Sequence, residues 1–201
     1  TALFIIAKPV IVMLFQRGAF AAEMAAATAA ALAVFALGLP AFVLIKIFQP
    51  GFFARLDTKT PVLVAVGAVT LNIVAALALM PSLQHIGIAA ASVISSWANA
   101  AALAVLLYRR GALRLDRRLL ARVPRMVLAA AGMAAALAMA MGQAGDLWRP
   151  NSAAGIAGLI ALVIGGGVVY GALAWALGVV TPRELRQALR AEAPPPAGDG
   201  P

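Results

Sequence analysis

The sequence contains no cysteine, one histidine and only seven acidic residues among 201. Without cysteine, neither a disulfide nor a thiolate metal site can form, and the redox compartment cannot be read. His85 sits in a short loop beside Pro81. Metal ligands come in clusters, so it is read as solvent-exposed. The acids (Glu23, Asp57, Asp116, Asp146, Glu184, Glu192 and Asp199) are scattered, with no two close together inside an apolar stretch. That argues against an integral-membrane transferase, which would need clustered acids or a His/Asp constellation at a membrane face. No initiator methionine and no signal-peptide pattern precede the first apolar run, TALFIIAKPVIVMLF. The expectation is a fragment of a longer protein, cut inside or just before a helix.

What is present is overwhelmingly apolar. Hydrophobic residues make up 64% and charged ones 11%, with a mean hydropathy of +0.97. A soluble domain must still face water, so this composition points to a polytopic membrane protein. Six apolar segments are expected as helices: about 2–15, 23–48, 61–80, 87–108, 127–141 and 154–180. The full-length ones suit a hydrocarbon core of roughly 30 Å. Gly38 and Pro40 predict a kink in the second, tolerable only if neighbours satisfy the freed carbonyls. Pro81 is expected to stop the third. The fourth, rich in Ala, Ser and Asn, should be buried in the bundle, because small residues let backbones approach. The sixth carries Gly167 and Gly171, a GxxxG pair read as ordinary helix packing. Thr181 and Glu184 form a capping-box pattern ahead of a short amphipathic helix, and residues from Ala193 read as disordered.

The net charge of +9 would suggest nucleic acid in a soluble protein, but its distribution gives another reason. If six segments cross alternately, one set of connections holds Arg55 and Lys59, the seven arginines between 109 and 125, and Arg183, Arg186 and Arg190. The opposite set holds Arg17 and Arg149. Short loops rich in Lys and Arg stay cytoplasmic, so the first set and the C-terminus are placed there. The 109–125 cluster is either a topogenic anchor or a site for anionic headgroups.

The most polar connection is Lys46 to Pro61, KIFQPGFFARLDTKTP. Pro50-Gly51 is expected to end the preceding helix, and Thr60 to cap the next ahead of Pro61. Arg55, Asp57 and Lys59 read either as an ion-pair latch between lobes or as a self-contained turn network with Asp57 accepting from nearby N–H groups.

Two stretches are more specific than composition: LFQRGAF (14–20) and PGFFARLDTKTP (50–61), joined by a helix ending LPAFVLIKIFQP. Together they resemble the C-terminal part of the MurJ/MviN family, lipid II flippases of the multidrug/oligosaccharidyl-lipid/polysaccharide exporter superfamily. The resemblance covers essentially the whole chain in helix pattern, with its specific residues in 14–61. It implies an all-α polytopic membrane protein with six transmembrane helices, matching the ninth to fourteenth of fourteen. Residues 1–108 would be second-lobe helices, 109–125 a basic cytoplasmic loop, 126–180 two terminal helices and 181–201 a cytoplasmic tail. The implied activity moves a lipid-linked anionic glycan precursor from inner to outer leaflet by alternating access. Membrane lipids and the protein's missing N-terminal lobe would be its partners, with no nucleic acid, cofactor or metal. Another exporter of the same superfamily, carrying a different lipid-linked glycan or a drug, is the competing reading.

On that template Lys46 is either a cavity cation or a snorkelling residue, being four positions from Pro50. Lys8 lies deeper, roughly 10 Å from the outer end of its helix. Arg17 is a gate contact, a turn-fixing donor or an interfacial anchor. Pro50, Gly51, Arg55, Asp57 and Lys59 are hinge or gate candidates. Gly167 and Gly171 are candidates for a groove that accepts the lipid tail. Asn72 and Asn99 are intramembrane amides. Ala76 stands one turn after Asn72, where a cation site would want a carboxylate, so interhelical hydrogen bonding is their expected use.

Overall fold

Long apolar runs fold as helices, because only a helix satisfies its own backbone groups in hydrocarbon. In the computed structural model these helices are α1 (Ala2–Phe15), α2 (Ala22–Phe53), α3 (Lys59–Arg109), α4 (Arg117–Gln143) and α5 (Ala153–Ala176). The structure describes residues 1–15, 22–113, 117–143 and 153–179. Arg17 and the tail from residue 180, with its capping box, lie outside them. α2, α3, α4 and α5 are long and apolar enough to cross a membrane, whereas α1 is a shorter apolar helix. Large apolar side chains such as Leu63, Val66, Leu77, Val163 and Val168 stay exposed along them. In water so much contiguous apolar surface would aggregate, whereas in lipid it is solvated.

α3 has 51 residues, and a straight helix of that length would run roughly 75 Å. It does not run straight. Gln84 takes φ 50 and ψ −129, and the arms on either side fold back on each other. Gly87, just past the bend, lies so close to the first arm that a Cβ there would sit 2.7 Å from the Leu79 carbonyl carbon and oxygen. The expected stop at Pro81 is corrected: the helix runs one turn further before breaking. Proline removes only its own N–H, so the turn C-terminal to it persists, and the Ser82 hydroxyl donates to the Leu79 carbonyl at 3.2 Å. The second arm, expected to be buried, presents Ala89, Ala91, Ser95, Ser96, Ala100, Leu103 and Leu107 as a buried face.

α2 packs along α3 and along α1, α4 packs on α5, and α1 also touches α4 and α5. α2 continues through Gly38 and Pro40. Pro40 lacks the N–H that would serve the Ala36 carbonyl, and its ring crowds that turn. The Trp97 indole N–H from the second arm of α3 donates to the adjacent Leu37 carbonyl at 3.1 Å. This supplies a neighbour's hydrogen bond next to the proline. Gly38 lets that arm approach, with Val93 Cγ2 3.2 Å from where its Cβ would be.

The expected end of α2 at Pro50-Gly51 is also corrected, because the helix continues to Phe53. Gly51 serves close approach instead of a turn: its Cβ would lie 3.0 Å from Leu107 Cδ2. The actual stop is a Schellman motif, in which Asp57 N–H donates to the Phe52 carbonyl at 3.1 Å. Its left-handed position is Leu56, φ 56. The same motif ends α3 at Gly111 and α5 at Gly178, where φ is 66 and 65. Leucine in this conformation costs about 1 kcal/mol relative to glycine, and Leu56 is 94% exposed, so it has little packing to lose. Leu56→Gly is therefore expected to stabilise the protein by about 1 kcal/mol in a denaturation series. A destabilised variant would show that the side chain makes contacts that outweigh the strain.

α4 starts at Arg117, ten residues before the expected start, so the second half of the basic connection is helical. Arg, Leu and Ala are strong helix formers, and Pro124, within the first turns, is tolerated without ending the helix. α5 matches the expected sixth segment, stopping at Ala176 ahead of the Gly178 turn.

Candidate functional site

Polar groups inside an apolar bundle have to find partners, so their hydrogen bonds locate what matters there. Midway along the α3 hairpin, Asn72 Nδ2 donates to Ser92 Oγ at 3.3 Å and to Ser95 Oγ at 3.2 Å. Each serine has turned its own proton back onto the helix. Ser92 donates to the Ile88 carbonyl at 3.1 Å, and Ser95 and Ser96 donate to the Ser92 carbonyl at 3.0 and 2.7 Å. Their oxygens are thereby left as acceptors for the amide. The expected interhelical use of Asn72 is what the geometry shows. Asn99, on the same face, differs: its Oδ1 is buried and accepts no hydrogen bond. It lies between two cavities. One, of about 340 Å³, is bounded by Phe35, Phe42, Asn72, Ser95 and Ser96 between α2 and the two arms. The other, of about 270 Å³, is lined by Val64, Gly67, Leu71, Ala98 and Ala102. Among the described residues, neither cavity has an Asp or Glu in its lining.

The second polar centre joins the ends of α2 and α3. Asp57 Oδ1 accepts from Thr60 N–H at 3.0 Å and its Oδ2 from the Thr60 hydroxyl at 2.6 Å. The helix start is thus capped by Asp57, and the expectation that Thr60 caps it is corrected: Thr60 is already inside α3 and donates. The reason is spacing, since a capping acceptor serves the N–H two or three residues ahead. Asp57 is also ion-paired to Arg110, whose Nη2 donates to Thr60 Oγ1 at 3.0 Å. The Arg110 guanidinium lies over the Phe52 ring, 5.4 Å from its centroid. Arg55 Nη1 closes the set by donating to the Arg110 carbonyl at 3.2 Å. Beneath it Phe52 (1% exposed), Leu103 (1%) and Leu107 (4%) form a buried cluster.

The Arg110 guanidinium beside Asp57 holds the carboxyl well below its usual range, with the Thr60 hydroxyl and N–H adding to the effect. A depressed folded-state pKa contributes stability that is present above the ordinary value near 3.8 and lost as pH falls through and below it. Melting curves between pH 7 and pH 3 should therefore show a loss that Asp57→Asn lacks. Equal losses in both proteins would contradict the pairing.

Of the residues singled out from the sequence, Arg55 and Asp57 are brought together, and both engage Arg110, the residue that caps the end of α3. Lys59 is exposed at the start of α3. Pro50 and Gly51 lie inside the last turns of α2. Lys46 and Lys8 are exposed on α2 and α1, and are not part of either polar centre. At Gly167 and Gly171 nothing lies within 4 Å of where a Cβ would sit, and the glycine that packs against α4 is Gly166, with Leu137 Cδ2 at 3.1 Å. An apolar cavity of about 200 Å³ lies on that side, lined by Ala136, Leu137, Ala140, Ala161 and Gly165. Sequence reasoning missed Arg110 and Trp97, and read Phe52 and Phe53 together as an apolar face where only Phe52 is buried. Nothing in an Arg-Arg pair marks which member turns inward, although the following glycine marks the helix end and puts both near it.

Exposed apolar helices, part-buried amide–hydroxyl bonds between the arms of α3 and a basic clasp at the helix ends define a multi-helix membrane protein of the all-α class. The lipid II flippase MurJ family model matches residues 1–157. The chain belongs to that family. A probable lipid II flippase MurJ of Rhizobium meliloti (strain 1021) is 49% identical over 140 residues, 70% of this chain and 26% of that protein. One of Rhizobium tropici is 37% identical over 205 residues, 98% of this chain and 38% of that protein. The lipid II flippase MurJ of Burkholderia cenocepacia is 36% identical over 110 residues, 55% of this chain and 21% of that protein. The chain thus spans well under half the length of these relatives.

Proposed function

We propose that the full-length protein is a transporter that moves a lipid-linked anionic glycan precursor, lipid II, from the inner to the outer leaflet of a bacterial inner membrane. The family match over residues 1–157, on a chain with four helices long enough to cross a membrane, carries this reading. The physical task is to bring a pyrophosphate and a sugar-peptide past hydrocarbon, which a cationic hydrated cavity opening alternately to each side performs. In this reading the two arms of α3 are separate crossings, giving six in all. Residues 1–108 belong to a second lobe, 109–125 to a basic cytoplasmic connection, 126–180 to two terminal helices and 181–201 to a cytoplasmic tail. The bias of Lys and Arg toward one set of connections supports that sidedness.

Lys46 and Lys8 are the cavity cations in this proposal. Both are charges exposed on apolar helices, and a charge inside a membrane faces protein or water. Arg17 serves the outer end. The lipid tail runs along the terminal helices. If Gly167 and Gly171 form its path, leucine at both slows translocation severalfold at unchanged protein amount, while unchanged flipping rejects them and leaves the Gly165–Gly166 cavity as the candidate. The functional test is rescue of a flippase-depleted cell by the full-length protein. Growth with normal precursor turnover supports the reading, and continued inner-leaflet accumulation defeats it.

A further inference from the structure

We propose that Arg110 is a positioning residue that fastens α2 and both arms of α3 into one rigid body at their shared end. The stretch around Pro50-Gly51 is then a weld and not a hinge, and cavity opening takes place at the boundary of this body with the rest of the protein. This rests on the transport reading above.

The observations converge on one guanidinium. It pairs with Asp57 in the connection, donates to Thr60 at the start of the first arm and covers Phe52 at the end of α2, while itself belonging to the end of the second arm. Two helix ends that adjoin in sequence and a third, 50 residues beyond Thr60, therefore share one side chain. Arginine suits this because its planar fork donates in two directions and stacks on a ring at once. Its own carbonyl is held by Arg55, so the backbone at the clasp is fixed as well. Below it Gly51 lets Leu107 come within 3.0 Å of its Cβ position, and Ala112 and Leu113 fold back onto the same cluster. Pro50 and Gly51 keep helical geometry, and the glycine is taken up by packing against Leu107. At the bilayer surface apolar contacts alone gain less than in water, and the polar clasp gives the junction its specificity.

The test uses the full-length protein in lipid, with spin labels on Ile47→Cys and Val105→Cys, exposed positions on α2 and on the second arm of α3. Distances between the labels are measured with and without lipid II, and translocation is followed in parallel. One narrow distribution, unchanged by lipid II, is expected. Arg110→Ala should broaden it and slow translocation three- to tenfold, and Arg110→Lys should recover part of both. Arg109→Ala, which removes the same charge from the neighbour outside the clasp, should leave the width as it was. A second distance appearing with lipid II would overturn the weld, as would equal broadening by the two alanine variants. If Arg110→Ala fails to accumulate, the unsubstituted protein's response to lipid II still decides. Absence of translocation by the unsubstituted protein would defeat the transport reading alone, because the width comparison does not depend on it.

Discussion

Gly87→Ala is expected to destabilise the α3 hairpin by about 2–3 kcal/mol, the upper part of the range for overpacking a close contact. The added methyl would sit 2.7 Å from the Leu79 carbonyl carbon and oxygen. These atoms belong to backbone and cannot swing aside as a side-chain tip can. Relief requires the two arms to separate near Gln84, and that strains the Asn72 bonds to Ser92 and Ser95 further along the hairpin. The comparison is Gly67→Ala on the first arm of the same hairpin, where nothing lies within 4 Å. There alanine should be neutral or stabilising, by up to about 1 kcal/mol from helix propensity. Reversible unfolding of the full-length protein in mixed micelles measures both. Similar values for the two variants would mean that the arms do not meet at Gly87.

Phe52→Ala should cost about 3 kcal/mol, the lower end for deleting a buried phenylalanine. The lower end applies because lipid or detergent partly replaces the lost contacts. Phe52 is 1% exposed, fills the space between Leu103 and Leu107 and offers its ring face to Arg110. Cation–π attraction at such a site adds about 0.5–1 kcal/mol. Phe52→Leu keeps the apolar volume and loses the ring, so it should cost under about 1.5 kcal/mol. Phe53 is the control: it is adjacent, 48% exposed, and its replacement by alanine should change stability by no more than about 0.5 kcal/mol. Unfolding midpoints in a denaturant series read all three. Equal costs at 52 and 53 would contradict the cluster.

Helix identity and approximate extent were legible from the apolar runs, because hydrocarbon leaves the backbone few alternatives. The membrane class followed from composition, and the family from two short stretches. Helix ends were the least legible part. Pro50-Gly51 looked like a stop because glycine and proline usually mark one. Here glycine admits Leu107, and the stop falls on Leu56, a residue type with no turn signature. Pro81 misled in the same way by three residues, since proline weakens the hydrogen bonding behind it and the turn ahead survives. The polar centres divided similarly. Asn72 was legible as an interhelical donor, because an amide in an apolar helix must find partners. Arg110 was not, since charge counting treats all seven arginines between 109 and 125 alike, and only the folded hairpin brings one of them beside Asp57. Trp97 was missed because its partner is a carbonyl near a proline on another helix, and no sequence pattern links the two.

The proposed transport of lipid II across the bilayer has one direct test. Vesicles containing the purified full-length protein, with lipid II supplied in one leaflet, test it directly by the appearance of lipid II in the opposite leaflet. Transfer well above protein-free vesicles, and reduced when Lys46 is replaced by alanine, is the expected result. Transfer no faster than in protein-free vesicles, with the protein folded and correctly inserted, would contradict it.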